Sequence, residues 1–174
     1  MTRVLAFDIS MTSPGAAVIE VKAGKARITA LSSIRQDAKR DHGLRADIIE
    51  SWATLFIAEH VGKHGFDACT REDFNGRTSA QNYPVFAAWS GIQRACEKFD
   101  VQFTPWVEPG KRATLGPTPS KVKLIVAGKG SADKDEVADA VRRWTGYAGT
   151  FENDDQSDAA AVGLAYLIRN GAIK

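Results

Sequence analysis

The spacing of the apolar residues changes along this chain, and that change restricts the fold more than any other feature. Before residue 42 the apolar residues form short β-prone runs, which predict three antiparallel strands at residues 3–7, 16–21 and 27–34. From Leu44 onward, with Ile48 and Trp52, apolar residues recur at helical spacing. The chain is therefore expected to open with a sheet and to continue with helices.

The remaining segments alternate between the two spacings. Helices are predicted at residues 42–63, 79–99, 119–127 and 134–144, followed by a last helix capped by Asp154, and two further strands at residues 66–70 and 101–107. The order βββαβαβααα favours an α/β fold with a mixed five-stranded sheet flanked by helices. With 174 residues, of which 44% are hydrophobic, one domain over residues 1–174 is expected.

Several classes of protein are disfavoured by the composition. No run of eighteen apolar residues is present, and a charged residue followed by a strand does not resemble a signal peptide, so we expect a cytoplasmic protein without a membrane span. Cys69 and Cys96 fit no metal-binding spacing and are expected to be buried thiols. An actin-like or kinase-like ATPase would need a second phosphate loop and a longer chain.

Positive charge is concentrated in one segment, although the whole chain has a net charge of only +2. Residues 109–134, here called the basic segment, contain six cations and a single anion, Asp133. The cations are Lys111, Arg112, Lys121, Lys123, Lys129 and Lys134. Such a segment is either a solvated surface or a surface that binds phosphate groups, and the charge pattern alone leaves both interpretations open.

Four acidic residues lie where predicted strands end or where the last helix begins. Asp8 and Glu72 follow the first and fourth strands, and Asp155 and Asp158 are spaced i and i+3 at the start of the last helix. If the first and fourth strands are neighbours, all four carboxylates can meet. Taken singly, each acid could instead be a turn, surface or capping residue.

Four carboxylates at one point would raise one another's pKa unless a divalent cation neutralised them. Oxygen ligands without histidine or cysteine favour Mg²⁺, with Mn²⁺ as a substitute. Two such ions can hold the attacking water and the leaving oxygen during phosphodiester hydrolysis. The acids therefore predict a nuclease with two Mg²⁺ ions per site.

Four blocks resemble the RuvC family of Holliday-junction resolvases, in the family's order across nearly the whole chain. They are VLAFD with Gly15 and AAVIEV after it, Glu72 at its strand end, VKLIVAGKGSADKDEVADAVRRW, and DDQSDAAAVGLAYLI. The resemblance implies a ribonuclease H-like fold. It also implies a crossover junction endodeoxyribonuclease that acts as a homodimer and nicks opposed strands of four-way DNA.

The resemblance implies roles for individual residues. Asp8, Glu72, Asp155 and Asp158 would be the metal ligands, and Lys134 would contact a backbone phosphate near the cut. Phe74 is the candidate for the aromatic residue that wedges against junction bases. With it, the expected DNA contacts are Arg77, Lys111, Arg112, Lys121, Lys123, Lys129 and Lys134.

The sequence departs from the family pattern beside two of the acids. Where the family usually has D-P-G, this chain has Asp8-Ile9-Ser10, which removes a glycine turn and leaves a hydroxyl near the expected metals. Asp73 is a second possible ligand beside Glu72, although Glu72 is favoured.

The sequence leaves the dimer interface and the substrate open. The helix at residues 79–99 is the candidate interface, although its Tyr83, Phe86, Trp89 and Ile92 could equally be core residues. A ribonuclease H acting on RNA–DNA hybrids and a non-catalytic protein that binds branched DNA are the alternative functions. No helicase partner is indicated.

Overall fold

The computed structural model describes residues 1–73 and 78–174. Its elements are β1 (Thr2–Asp8), β2 (Gly15–Lys22), β3 (Lys25–Ser33), α1 (His42–His60), β4 (Ala68–Arg71), α2 (Ser79–Glu97), α3 (Pro119–Ala127), α4 (Lys134–Thr145) and α5 (Asp154–Arg169). The α/β class and each of the predicted helices are confirmed. No helix in the described ranges is long and apolar enough to cross a membrane.

The sheet has the strand order β3-β2-β1-β4. β1 pairs antiparallel with β2 and parallel with β4, while β2 pairs antiparallel with β3. Residues 4–7 of β1 are completely buried because helices cover both faces of the sheet. This explains why β1 is a continuous apolar run instead of alternating with polar residues.

The prediction of a fifth strand at residues 101–107 is wrong, and within the described ranges the sheet has four strands. Phe103 forms an isolated parallel bridge with Cys69. Pro105 then has no N–H with which to extend the pairing. The backbones of Trp106 and Thr114 instead exchange two hydrogen bonds, of 2.9 and 2.8 Å, which turn the segment away from β4.

The two faces of the sheet have different cores. On one face α5, flanked by α3 and α4, packs closely through small residues, and a Cβ added at Gly163 would lie only 2.9 Å from Ile19 Cδ1. On the other face α1 and α2 enclose larger side chains, including Phe7 and Trp89. Cys69 and Cys96 are buried free thiols in this second core, as predicted.

Candidate active site

The ends of two parallel strands bring the first two acids together. Phe7 of β1 is paired with Arg71 of β4, so Asp8 and Glu72 leave adjacent strands at the same edge of the sheet. The Arg71 guanidinium packs between the Trp89 and Phe103 rings, 4.5 and 4.3 Å from their centroids. This stacking holds the end of β4 against the α2 side, and Glu72 faces the opposite side, toward α3, α4 and α5.

The N-terminal part of α5 brings the third acid, Asp158, to the same place. Its cap is Asn153, whose side chain accepts a hydrogen bond from the Gln156 amide at 3.3 Å, so the prediction that Asp154 caps this helix is wrong. Asp154 is already a helical residue. The close approach of α5 to β2 requires glycine at position 15, because a Cβ there would overlap the Asp155 carbonyl oxygen.

Asp8, Glu72 and Asp158 line a cavity of about 240 Å³ together with Lys123 and Lys134. We call it the acidic cavity. Its apolar wall is formed by Pro119, Val122, Val137 and Ala161, which come from α3, α4 and α5. Residues far apart in the chain thus place three carboxylates and two ammonium groups around one small space.

The carboxylates of the acidic cavity hold protons more tightly than isolated carboxylates. Loss of solvent, followed by repulsion from Asp158 and Asp155, raises the pKa of Asp8 to about 7. Loss of solvent, followed by repulsion from Asp8 and Asp158, raises the pKa of Glu72 to about 8. The lysines of the cavity act in the opposite direction but do not offset these effects.

Lys134 is the cation most directly engaged with the acids. Its ammonium forms an ion pair with the Asp158 carboxylate. Loss of solvent is the largest single effect and works to lower the pKa of Lys134, but the hydrogen bond to Asp158 and the negative charges of Asp158 and Asp8 together raise it. Lys123 also lines the cavity, and its Nζ donates to the Ala132 carbonyl oxygen at 2.6 Å.

Asp155 lies beside the acidic cavity and does not line it. Its carboxylate accepts a hydrogen bond from the Ser13 hydroxyl, and its charge still contributes to the raised pKa of Asp8. The predicted set of four acids is therefore arranged as three around the cavity and one at its margin.

The structure distinguishes Glu72 from Asp73. The Asp73 amide donates to the Pro117 carbonyl at 2.9 Å, and the residue lines a different cavity, with Lys111, Arg112 and Lys121. Glu72 is thus the acid that shares a cavity with Asp8.

The donor atoms of the acidic cavity fit a hard divalent cation in kind, since they are carboxylate oxygens. Within residues 1–73 and 78–174, no three acidic, histidine or cysteine side chains are close enough to enclose a metal ion as they stand. Lys134 holds the Asp158 carboxylate and Ser13 holds that of Asp155. An ion bound between Asp8, Glu72 and Asp158 would therefore compete with the Lys134 ammonium for the Asp158 carboxylate.

Most cations of the basic segment already have partners in the protein. Lys111 and Lys121 both pair with Glu108, at 2.7 and 3.3 Å, and their hydrogen bonds lower the pKa of Glu108 to about 2. Lys129 pairs with Glu136 at 2.7 Å. Glu108 lies one residue before the segment that was counted in the sequence, so the local excess of positive charge is smaller than the count suggested.

Two of the expected DNA contacts, Phe74 and Arg77, lie outside the described residues.

The aromatic side chains of α2 lie on two different sides of the helix. Tyr83 and Phe86 are 63% and 49% exposed, whereas Trp89 and Ile92 belong to the core. The core interpretation is therefore confirmed for Trp89 and Ile92, and an interface stays a prediction for the exposed Tyr83 and Phe86.

The sequence indicates no role for Ser13 and leaves the role of Ser10 open. The Ser10 hydroxyl accepts a hydrogen bond from the Ser13 amide at 2.8 Å, so it caps the turn that replaces the family's glycine turn. The SMTSP stretch signalled a turn but gave no indication that Ser13 would reach a helix 142 residues away.

The sequence of this chain is similar to those of proteins whose family is known. No protein-family model matches the chain. Crossover junction endodeoxyribonuclease RuvC of Synechococcus sp. (strain RCC307) is 30% identical over 165 residues, which cover 93% of this chain and 96% of that protein. The chain belongs to the RuvC family. RuvC of Cutibacterium acnes is 26% identical over 181 residues and is matched over 82% of its length.

Solved structures confirm the expected fold. T. thermophilus RuvC in complex with a Holliday junction substrate matches 100% of this chain with a TM-score of 0.78 and 24% identity. A second Thermus thermophilus RuvC structure matches 97% of the chain with a TM-score of 0.74 and 20% identity. The ribonuclease H-like fold predicted from the sequence is therefore confirmed, with four strands in the described sheet instead of five.

Proposed function

We propose that this protein is a crossover junction endodeoxyribonuclease that hydrolyses phosphodiester bonds of four-way DNA at the acidic cavity. Its RuvC relatives carry this name, and one solved relative is bound to a Holliday junction. The observation that carries the proposal is the convergence of Asp8, Glu72 and Asp158 at the ends of neighbouring strands. These carboxylates differ from those of an ordinary surface cluster because they are partly buried, and they repel one another.

Asp8, Glu72 and Asp158 would hold Mg²⁺ or Mn²⁺, with Asp155 as a further ligand at the margin. Two bound ions would supply an activated water and stabilise the leaving oxygen. The carboxylates provide the negative charge that attracts the ions, and the apolar wall of the cavity limits the access of other water. Lys134 lies among the carboxylates, which supports the proposal that its ammonium would contact a phosphate oxygen beside the cut.

The basic segment is the proposed surface for the DNA arms, through Lys111, Arg112, Lys121, Lys123 and Lys129, and Phe74 and Arg77 remain proposed contacts. Lysine is a point charge that suits contacts with phosphates independent of sequence. We further propose a homodimer, formed through the exposed side of α2 that carries Tyr83 and Phe86. Two sites related by a two-fold axis would match the symmetry of a four-way junction. The site of action would be the cytoplasm.

The substrate can be tested with three labelled DNAs: a four-way junction with a mobile core, a flap, and an RNA–DNA hybrid. With Mg²⁺ we expect paired nicks in opposed strands of the junction, and no cleavage by Asp158→Asn. Cleavage of the hybrid with an intact junction would favour the ribonuclease H alternative. Tight binding of the junction without cleavage in Mg²⁺ or Mn²⁺ would favour a non-catalytic binding protein.

A further inference from the structure

The turn between β1 and β2 contains a side chain that holds one of the proposed metal ligands. The Ser13 hydroxyl donates to Asp155 Oδ2, which joins the end of β1 to the first turn of α5. Asp158 is held differently, by the ammonium of Lys134. A hydroxyl orients a carboxylate without adding an opposite charge beside it.

The turn that carries Ser13 is itself held by hydrogen bonds to its backbone. Ser10 Oγ accepts the Ser13 amide at 2.8 Å, and the Gln36 amide donates to the Thr12 carbonyl at 2.8 Å. Both bonds hold the peptide group that joins Thr12 to Ser13. The Ser13 hydroxyl therefore starts from a restrained position.

A buried arginine on α1 adds to this restraint. Arg45 is 4% exposed, and its Nη2 donates to the Met11 carbonyl at 3.0 Å and to the Thr12 hydroxyl at 2.9 Å. A buried guanidinium with such contacts makes the turn costly to displace, because moving it would leave a charge without partners. Gly15 completes the arrangement by letting the Asp155 backbone approach β2.

We propose that Ser13 is a positioning residue that keeps the Asp155 carboxylate oriented for binding a divalent cation. The inference rests on the proposed function, since it takes Asp155 to be a ligand of the cavity. Partners that orient a metal ligand typically change metal affinity about 10-fold to 100-fold when they are removed. Ser13→Ala should therefore weaken metal binding while leaving the fold intact.

The test compares wild type with Ser13→Ala, Ser13→Thr and a control, Ser51→Ala. The Ser51 hydroxyl donates to the Asp47 carbonyl oxygen on the exposed side of α1. Mn²⁺ binding is measured by calorimetry, and the Mg²⁺ concentration for half-maximal junction cleavage is measured in parallel. We expect Ser13→Ala to weaken both by ~10-fold. Threonine should restore both to within about threefold, since it keeps the hydroxyl, and Ser51→Ala should match wild type.

The binding measurement separates this inference from the proposed function. Weaker Mn²⁺ binding in Ser13→Ala, restored by threonine, supports the positioning role even if no junction is cut. Equal Mn²⁺ binding in wild type and Ser13→Ala overturns it even if the junction is cut. A lower melting temperature of metal-free Ser13→Ala, with unchanged Mn²⁺ affinity, would also overturn it, because the hydroxyl would then serve only the fold.

Discussion

The acidic cavity and the basic segment, which share Lys123 and Lys134, each carry an excess of charge of one sign, and the exposed lysines of the basic segment are paired with acids of the protein. Lys111 and Lys121 share Glu108, and Lys129 pairs with Glu136. These are exposed ion pairs, which contribute little to stability and are screened by salt.

In the acidic cavity the balance is incomplete. Loss of solvent and mutual repulsion raise the pKa values of Asp8 and Glu72, and the nearby lysines do not offset these effects. This repulsion lowers the free energy of unfolding unless a cation from solution is bound. The comparison teaches that charge left unbalanced within the fold is a stronger sign of a binding site than a high local count of charged residues.

Removing one carboxylate of the cavity should give the largest effect. Asp8→Asn is expected to reduce junction cleavage by about 1,000-fold or more, since a metal ligand contributes several kcal/mol to the transition state. The same substitution should raise the melting temperature of the metal-free protein, because it removes the repulsion. Steady-state cleavage and thermal unfolding in EDTA measure the two effects. Asp47→Asn on the exposed side of α1 is the matched control, and equal loss of activity in it would contradict the assignment.

Stability without metal should depend on pH. The pKa values of Asp8 and Glu72 are raised in the folded protein, to about 7 and 8 from ordinary values of 3.8 and 4.5. The free energy of unfolding should therefore fall as pH rises from about 4 to about 8 and then level off. Urea titrations in EDTA measure this. Addition of Mg²⁺ at pH 8 should restore most of the loss, and stability that rises over this range in EDTA would refute the account.

Lys134 should matter more than any other cation. Lys134→Met is expected to lower the rate of cleavage by about 10-fold to 100-fold while junction binding falls much less, because its ammonium would act on a phosphate at the cut. Lys98→Met is a suitable control, since the two side chains are 49% and 51% exposed and both are ion-paired. Single-turnover cleavage and gel-shift binding separate the two effects. A large loss of binding with an unchanged rate would assign Lys134 to DNA holding instead.

The smallest effect should have the opposite sign. Glu108→Gln releases Lys111 and Lys121 from their ion pairs, so junction binding should become about threefold tighter and its dependence on salt steeper. Fluorescence anisotropy over a range of salt concentrations measures both. Glu59→Gln on α1 makes the same change of charge elsewhere and should have less effect. Weaker binding in Glu108→Gln would show that the ion pairs hold the surface in its binding shape.

The acidic cavity could be predicted from the sequence because Asp8 and Glu72 each lie where a strand ends. Once β1 and β4 are neighbours, Asp8 and Glu72 must lie together, and the spacing within α5 brings Asp158 to them. The Ser13 contact with Asp155 could not be predicted in this way, since it depends on the shape of a turn and on how closely α5 approaches β2.

Other differences have equally local causes. The strand expected at residues 101–107 fails because Pro105 lacks a donor and Trp106 pairs with Thr114. Helical periodicity predicted α2 correctly but could not divide its aromatic residues between surface and core. That division depends on which side of α2 packs against α1 and the sheet.

The central claim is that the acidic cavity binds divalent ions, and a crystal soaked in Mn²⁺ tests it most directly by anomalous diffraction. We expect an anomalous peak between the carboxylates of Asp8, Glu72 and Asp158, with the Lys134 ammonium displaced from Asp158. Mn²⁺ bound elsewhere on the protein, or an undisturbed Lys134–Asp158 pair with no peak in the cavity at saturating Mn²⁺, would contradict it.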